Sequence, residues 1–151
     1  MNQGQLFIAS DHGGYTLKKE LIQFVKKELK LKINDLGPKK YDPNDDYPDF
    51  VIPLAKQVKK NKGRGVVICR NGVGVCMAVN KIKGIRCGIG YNLGAAKSMM
   101  KDDNTNVISL AADYLETNEA KAILKKWLET NYSNEERHNR RLAKIAKYEK
   151  K

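Results

Sequence analysis

Cys69 stands where chemistry is easiest to arrange. It ends the apolar run Gly65-Val66-Val67-Ile68-Cys69 and opens the loop Arg70-Asn71-Gly72-Val73-Gly74. Gly72 and Gly74 can take backbone conformations closed to other residues and let the chain approach a ligand closely. Several loop N–H groups then converge near the start of the next helix, an anion site suited to a phosphate or an enolate oxygen. A thiol beside Arg70 and a helix N-terminus favours its thiolate. A thiolate there can remove a carbon-bound proton while neighbouring N–H groups hold the oxyanion that forms. By residue type alone, a structural cysteine finishing a buried strand is an equal reading. The loop is neither the dinucleotide G-x-G-x-x-G nor the G-x-x-x-x-G-K-[ST] phosphate loop. Cys76 and Cys87 fall inside expected elements and read as core residues. Three cysteines with no C-x-x-C pair argue against a disulfide framework or a zinc knuckle.

Three other groups carry usable chemistry. Asp11-His12 has the types for proton transfer or for holding hydroxyls, but an Asp before two glycines also suits a helix cap. Asp46-Tyr47-Pro48 offers a phenol, or merely a turn and a helix entry. Arg137 and Arg141 lie four apart on one helix face, with His138 and Arg140 pointing elsewhere. Two guanidinium groups on one face suit a phosphate, and a solvated face is the alternative. The formal charge of +12 admits nucleic acid, a membrane surface or an anionic substrate as partner. Basic residues run along the whole chain and are densest over 135–151, which reads as a solvated face. No aromatic stacking platform accompanies them, which argues against nucleic acid.

The elements that must position these residues alternate regularly. Strands are expected at 5–10, 32–37, 65–69, 85–90 and 106–110. Helices are expected at 15–30, 49–61, 75–82, 92–101, 115–131 and 134–149. The Pro-, Asp- and Asn-rich stretch 38–49 must be a loop. This order predicts an α/β fold, an open five-stranded parallel sheet with helices on both faces and a C-terminal helical extension. One domain spanning 1–151 is expected. Ligands of such folds bind beyond the carboxyl ends of the strands, where Asp11-His12, the Cys69 loop and Tyr91-Asn92 all fall. No apolar run approaches the ~20 residues of a membrane span, and the N-terminus lacks signal-peptide features, so a soluble cytoplasmic protein is expected.

Taken together, these motifs resemble the ribose-5-phosphate isomerase B family, which also includes galactose-6-phosphate isomerase subunits. The resemblance rests on residues 11–21, 46–50, 68–74, 80–86 and 104–107 with Arg137 and Arg141, in the family's order along almost the whole chain. It implies a Rossmann-like three-layer sandwich working as a homodimer with shared active sites, a tetramer being the alternative. It also implies isomerisation of a phosphorylated sugar, ribose 5-phosphate first, through a cis-enediol(ate). Six-carbon sugar phosphates and a non-catalytic sugar-phosphate binder are the other readings. No metal or organic cofactor is implied. Cys69 matches the base, and Val75 stands where other members carry a glutamate. Backbone N–H groups of Arg70, Asn71, Gly72, Val73 and Gly74 would hold the enediolate. Asp11 would shuttle protons at the hydroxyls. His12, Arg137 and Arg141 would grip the phosphate end, some of them from a partner subunit, and Tyr47 would line the substrate. Three positions depart from the pattern: Asn71 replaces a Ser or Thr, Asp102 a ring-opening His, and Asp113 an Arg. Asn71 can still hydrogen-bond; Asp102 can serve as the ring-opening acid, or Asp11 takes that task, or the substrate differs; and Asp113 is expected to weaken phosphate binding near it.

Overall fold

The computed structural model describes residues 4–149. In chain order the elements are β1 (Leu6–Ser10), α1 (Tyr15–Lys27), β2 (Ile33–Asp35), α2 (Pro48–Asn61), β3 (Arg64–Cys69), α3 (Val73–Val79), β4 (Cys87–Ile89), α4 (Leu93–Lys101), β5 (Val107–Ala111), α5 (Thr117–Glu129) and α6 (Glu136–Tyr148). The five strands form one parallel sheet in the order β2-β1-β3-β5-β4. This is the expected Rossmann-like sandwich with its C-terminal extension. Among the described residues no helix is long and apolar enough to cross a membrane.

The three central strands are apolar without alternation because both sheet faces are covered. Leu6, Ile8, Val66, Ile68, Ile108 and Leu110 point to one face, under α1, α4 and α5. Phe7, Ala9, Val67, Cys69 and Val107 point to the other, under α2 and α3. The period of two thus assigns Cys69 to the α3 side, the side on which its own loop returns. Trp127 of α5 is fully buried and donates its Nε1–H to Thr105 Oγ1 at 2.8 Å, pinning α5 beside the start of β5.

Three boundaries differ from expectation. The edge strands β2 and β4 are only three residues long, against the strands expected at 32–37 and 85–90. The β2 run is cut short where the chain turns at Gly37 (φ +110°). The third helix starts at Val73 rather than 75, because Gly72 at φ +74° turns the chain directly into it. Val73 and Gly74 are therefore the first helical turn.

The long loop 38–47 is tied down from below. Lys18 on α1 is 1% exposed, and its ammonium donates to Asp35 Oδ1 and to the Pro38 carbonyl, both at 2.7 Å. Burial pulls the Lys18 pKa down, against the hold of Asp35. Burial alone would raise Asp35, but hydrogen bonds from Lys18, the Gly37 N–H and Lys39 outweigh it and leave its pKa below the ordinary carboxylate value. Lys18→Met leaves the Pro38 carbonyl and Asp35 without this donor. A loss of about 2–3 kcal/mol is expected, read as a lower urea midpoint at unchanged slope. Because the folded Asp35 pKa is depressed, the pair's contribution is present above the unfolded carboxylate value. The gap between wild type and variant should close as pH falls through the folded value.

Candidate active site

β1 and β3 are hydrogen-bonded neighbours, so the loops that follow them emerge side by side. The Asp11 N–H reaches across to the Ile68 carbonyl at 3.3 Å. A Cβ on Gly13 would sit 2.5 Å from Arg70 Cγ, so the two loops are in direct contact and only glycine fits. Asp11 is nearly buried, and its Oδ1 accepts the Gly14 N–H at 3.1 Å at the entry to α1. The carboxylate thus closes the turn before α1, whose N-cap is Gly14 with no side-chain cap, so the expected helix cap is not formed.

Cys69 is 5% exposed and ends β3. Its Sγ accepts the Gly72 N–H at 3.2 Å. The Asn71 side-chain oxygen lies 3.7 Å from Sγ and accepts the Val73 N–H at 3.0 Å. Ser109, from β5, donates its hydroxyl to the Gly72 carbonyl and clamps the loop from behind. Two of the five N–H groups expected to hold an oxyanion are thus already engaged, those of Gly72 and Val73. Those of Arg70, Asn71 and Gly74 have no hydrogen-bond partner among the described residues and are left to meet one. Val75 is fully buried against the sheet. Tyr47 caps the start of α2, and its phenol ring lies over the loop: a Cβ on Gly74 would be 2.7 Å from Tyr47 Cζ.

Arg70 extends from the loop with its Nη1 3.7 Å from Asp113 Oδ1. Asp113, the position where an Arg is expected, thus faces a cation that the loop itself supplies. Cys76 and Cys87 are half-buried rather than core. The Cys76 thiol donates to the Cys87 carbonyl at 3.5 Å; the neighbouring Cys87 thiol brings Cys76 down to about 7, and Cys87 itself is pushed up.

His12 is fixed by a residue absent from the sequence reading. Asp45 Oδ1 accepts the His12 backbone N–H at 2.9 Å and bonds Nδ1 at 2.7 Å. The hydrogen bond with Asp45 raises the His12 pKa, burial and Arg70 oppose it, and Asp11 adds to it. The signal was only an Asp in a Pro- and Asn-rich loop, 33 residues from its partner.

Arg137, Arg141 and Asp102 are elsewhere. Asp102 caps the C-terminus of α4 and lies 3.8 Å from His138 Nε2. His138, expected merely to point away from the arginine pair, is 4% exposed and bonds Ser133 Oγ at 2.7 Å through Nδ1. Glu149, just past α6, accepts the Gly84 N–H at 3.2 Å. Both ends of α6 are therefore anchored to the amino edge of the sheet, before β4 and β5 begin. Cys69 sits at the carboxyl edge, opposite Ala111, a strand length of about 16 Å away at ~3.3 Å per residue. One chain unites Cys69, Asn71, Gly72, Gly74, Asp11, His12, Arg70 and Tyr47, but not Asp102, Arg137 or Arg141. Among the described residues no group of three or more His, Cys, Asp or Glu is arranged to hold a metal ion.

Comparison with known proteins points the same way. The model of the Ribose/Galactose Isomerase family matches residues 6–145. A ribose-5-phosphate isomerase B of Mycobacterium tuberculosis is 32% identical over 151 residues, 99% of this chain and 93% of that one. The crystal structure of ribose-5-phosphate isomerase B from Mycoplasma genitalium with bound ribulose 5-phosphate superposes with a TM-score of 0.93 at 42% identity, covering 97% of each chain. That of the Clostridium thermocellum enzyme gives 0.92 at 35% identity, again over 97% of each.

Gly72→Ala tests the loop geometry. At φ +74° an alanine costs about 1–2 kcal/mol, and its Cβ would lie 3.0 Å from Ser109 Oγ. Thermal unfolding should fall accordingly, and any turnover should drop as the Gly72 N–H leaves the sulfur.

Proposed function

The chain belongs to the ribose/galactose isomerase family, and from that premise we propose that it interconverts ribose 5-phosphate and ribulose 5-phosphate through a cis-enediol(ate), with Cys69 as the base. The observation that carries this reading is the Cys69 sulfur at the end of β3 with the Gly72 N–H directed at it, beside Asp11 and His12. The relatives named ribose-5-phosphate isomerase B, and the ribulose 5-phosphate held by the Mycoplasma genitalium protein, support the choice of sugar.

The steps follow from the positions. The Cys69 thiolate takes the proton from C2 of the open-chain aldose. The C–H electron pair forms the C1–C2 double bond, and the C1 carbonyl becomes an oxyanion. The Asn71 and Gly74 N–H groups meet that charge near the first turn of α3. Asp11 carries a proton from O2 to O1, and the Cys69 thiol, whose proton exchanges with solvent while the enediol(ate) is bound, delivers a proton to C1, giving the ketose. His12 and Arg70 face the substrate's anionic end, and Tyr47 closes the loop side.

The whole chain acts as one domain, in a homodimer. The opposite-edge positions of Cys69 and of Asp102, Arg137 and Arg141 support this reading. A second copy can bring its arginines and its Asp102 to the Cys69 loop of the first, and a two-fold arrangement does so twice. Asp102 then supplies the ring-opening acid. No cofactor is needed for this chemistry.

Cys69→Ala should abolish isomerisation of ribose 5-phosphate while leaving the unfolding midpoint within about 1 kcal/mol of wild type. Full activity in that variant would remove Cys69 from the mechanism. Mixing inactive Cys69→Ala with an inactive Arg137→Ala, Arg141→Ala double variant should restore activity. Half the dimers are then mixed and each has one intact site, so about a quarter of wild-type turnover is expected. Mixtures that stay inactive under conditions of subunit exchange would contradict the shared site.

A further inference from the structure

We infer that Asp45 is a positioning residue: its carboxylate locks the His12 ring so that Nδ1–H is committed to Asp45 and Nε2 is left for the phosphate end of the substrate. The substrate in this inference rests on the isomerase reading above, but its first test does not.

The geometry begins with the loop. Residues 38–47 leave β2 and enter α2, with no strand or helix between them. Lys18 fixes the loop's start at Pro38, and Tyr15 Oη reaches the Lys39 carbonyl at 3.3 Å. Within the loop the Asp45 N–H bonds back to the Asp42 carbonyl at 3.2 Å, which sets the Asp45 side chain towards the β1–α1 turn. There a single oxygen, Oδ1, receives both the backbone N–H and Nδ1 of His12. The side chain of Asp45 is 7% exposed, that of His12 is 22%. The carboxylate is thus buried behind a ring whose edge still reaches solvent.

A carboxylate only accepts hydrogen bonds, so the ring proton must sit on Nδ1. That fixes the tautomer and leaves Nε2 as the one ring nitrogen able to meet a ligand. Among the described residues no hydrogen bond engages Nε2. The groups facing His12 are Asp45, Asp11 and Arg70, with the Tyr41 ring edge-on at 6.5 Å. The hydrogen bond to Asp45 outweighs burial and the repulsion of Arg70, so the imidazolium persists above the ordinary histidine value of 6.5. In that form Nε2–H is a charged donor, the partner a phosphate dianion requires. The sign follows directly: the cation is present below the raised value and lost as pH rises through it. A tie made only to hold the loop would need the backbone N–H alone. The Nδ1 bond adds orientation and charge. Asp45 Oδ2 is buried with no partner among the described residues, so the carboxylate is not absorbed into a closed structural network.

The test uses the full-length protein and Asp45→Asn, which keeps the shape and removes the charge, with Asp45→Glu as the conservative partner. The chain has two histidines, so ring signals of His12 and His138 can be assigned by NMR with one His138 variant. Asp45→Asn should move the His12 titration midpoint to lower pH. Inorganic phosphate should perturb the His12 signal at lower concentration in wild type than in Asp45→Asn. With ribose 5-phosphate, KM should rise about tenfold while kcat changes less than about threefold, and Asp45→Glu should recover part of the loss. A His12 midpoint that does not move would overturn the inference. So would a collapsed kcat at unchanged KM, which would put the pair in proton transfer instead. If the wild type isomerises no aldose phosphate, the activity reading fails, and the titration and phosphate arms still decide the role of Asp45.

Discussion

The adjacency of β1 and β3 in a parallel sheet buried on both faces is the constraint on which the site depends. Parallel neighbours share a direction, so their carboxyl ends finish together and their loops must leave through one crevice. The crevice is narrow enough that Gly13 and Arg70 touch, and a side chain at 13 would not fit. Everything else is placed relative to that contact. Gly72 turns the chain at φ +74° so that α3 begins at once, and the same turn aims the Gly72 N–H back at the Cys69 sulfur. Ser109 holds the turn from the next strand, and Tyr47 covers it from α2. Scaffold and site are therefore one construction, since the strands that make the core also set the spacing of the reactive groups.

The opposite edge carries the second constraint. α6 is tied to the sheet's amino edge through His138 near Asp102 and through Glu149 at Gly84. Its arginines are a strand length from the thiol of their own chain. A helix held this way presents its cations outward, which suits the proposed shared site. Under the proposed shared site, part of the chain's large positive charge grips phosphate and part is a solvated face, while Arg70 faces Asp113.

Much of this was legible in the residues. The central strands announce themselves as unbroken β-branched runs, because burial on both faces removes alternation. The convergence of Asp11-His12 and the Cys69 loop follows from strand order alone. What was not legible depends on tertiary contact. Asp45 looks like any loop Asp, since its meaning lies in a ring 33 residues away. The engagement of the Val73 N–H by Asn71 depends on a rotamer, and so five expected N–H donors became fewer. His138 reads as a surface residue of a charged helix, yet it is the one α6 side chain that is buried. The role of Asp113 was read as a lost cation, and only the fold brings Arg70 beside it.

The central claim, an enediol route in which a protein base handles the C2 proton, is tested most directly in deuterated water. The protein is incubated with ribose 5-phosphate for many turnovers, and the sugars are examined by NMR. The account predicts deuterium at C2 of the aldose and at one of the two C1 positions of ribulose 5-phosphate. Isomerisation that leaves both carbons free of solvent deuterium after many turnovers would contradict it.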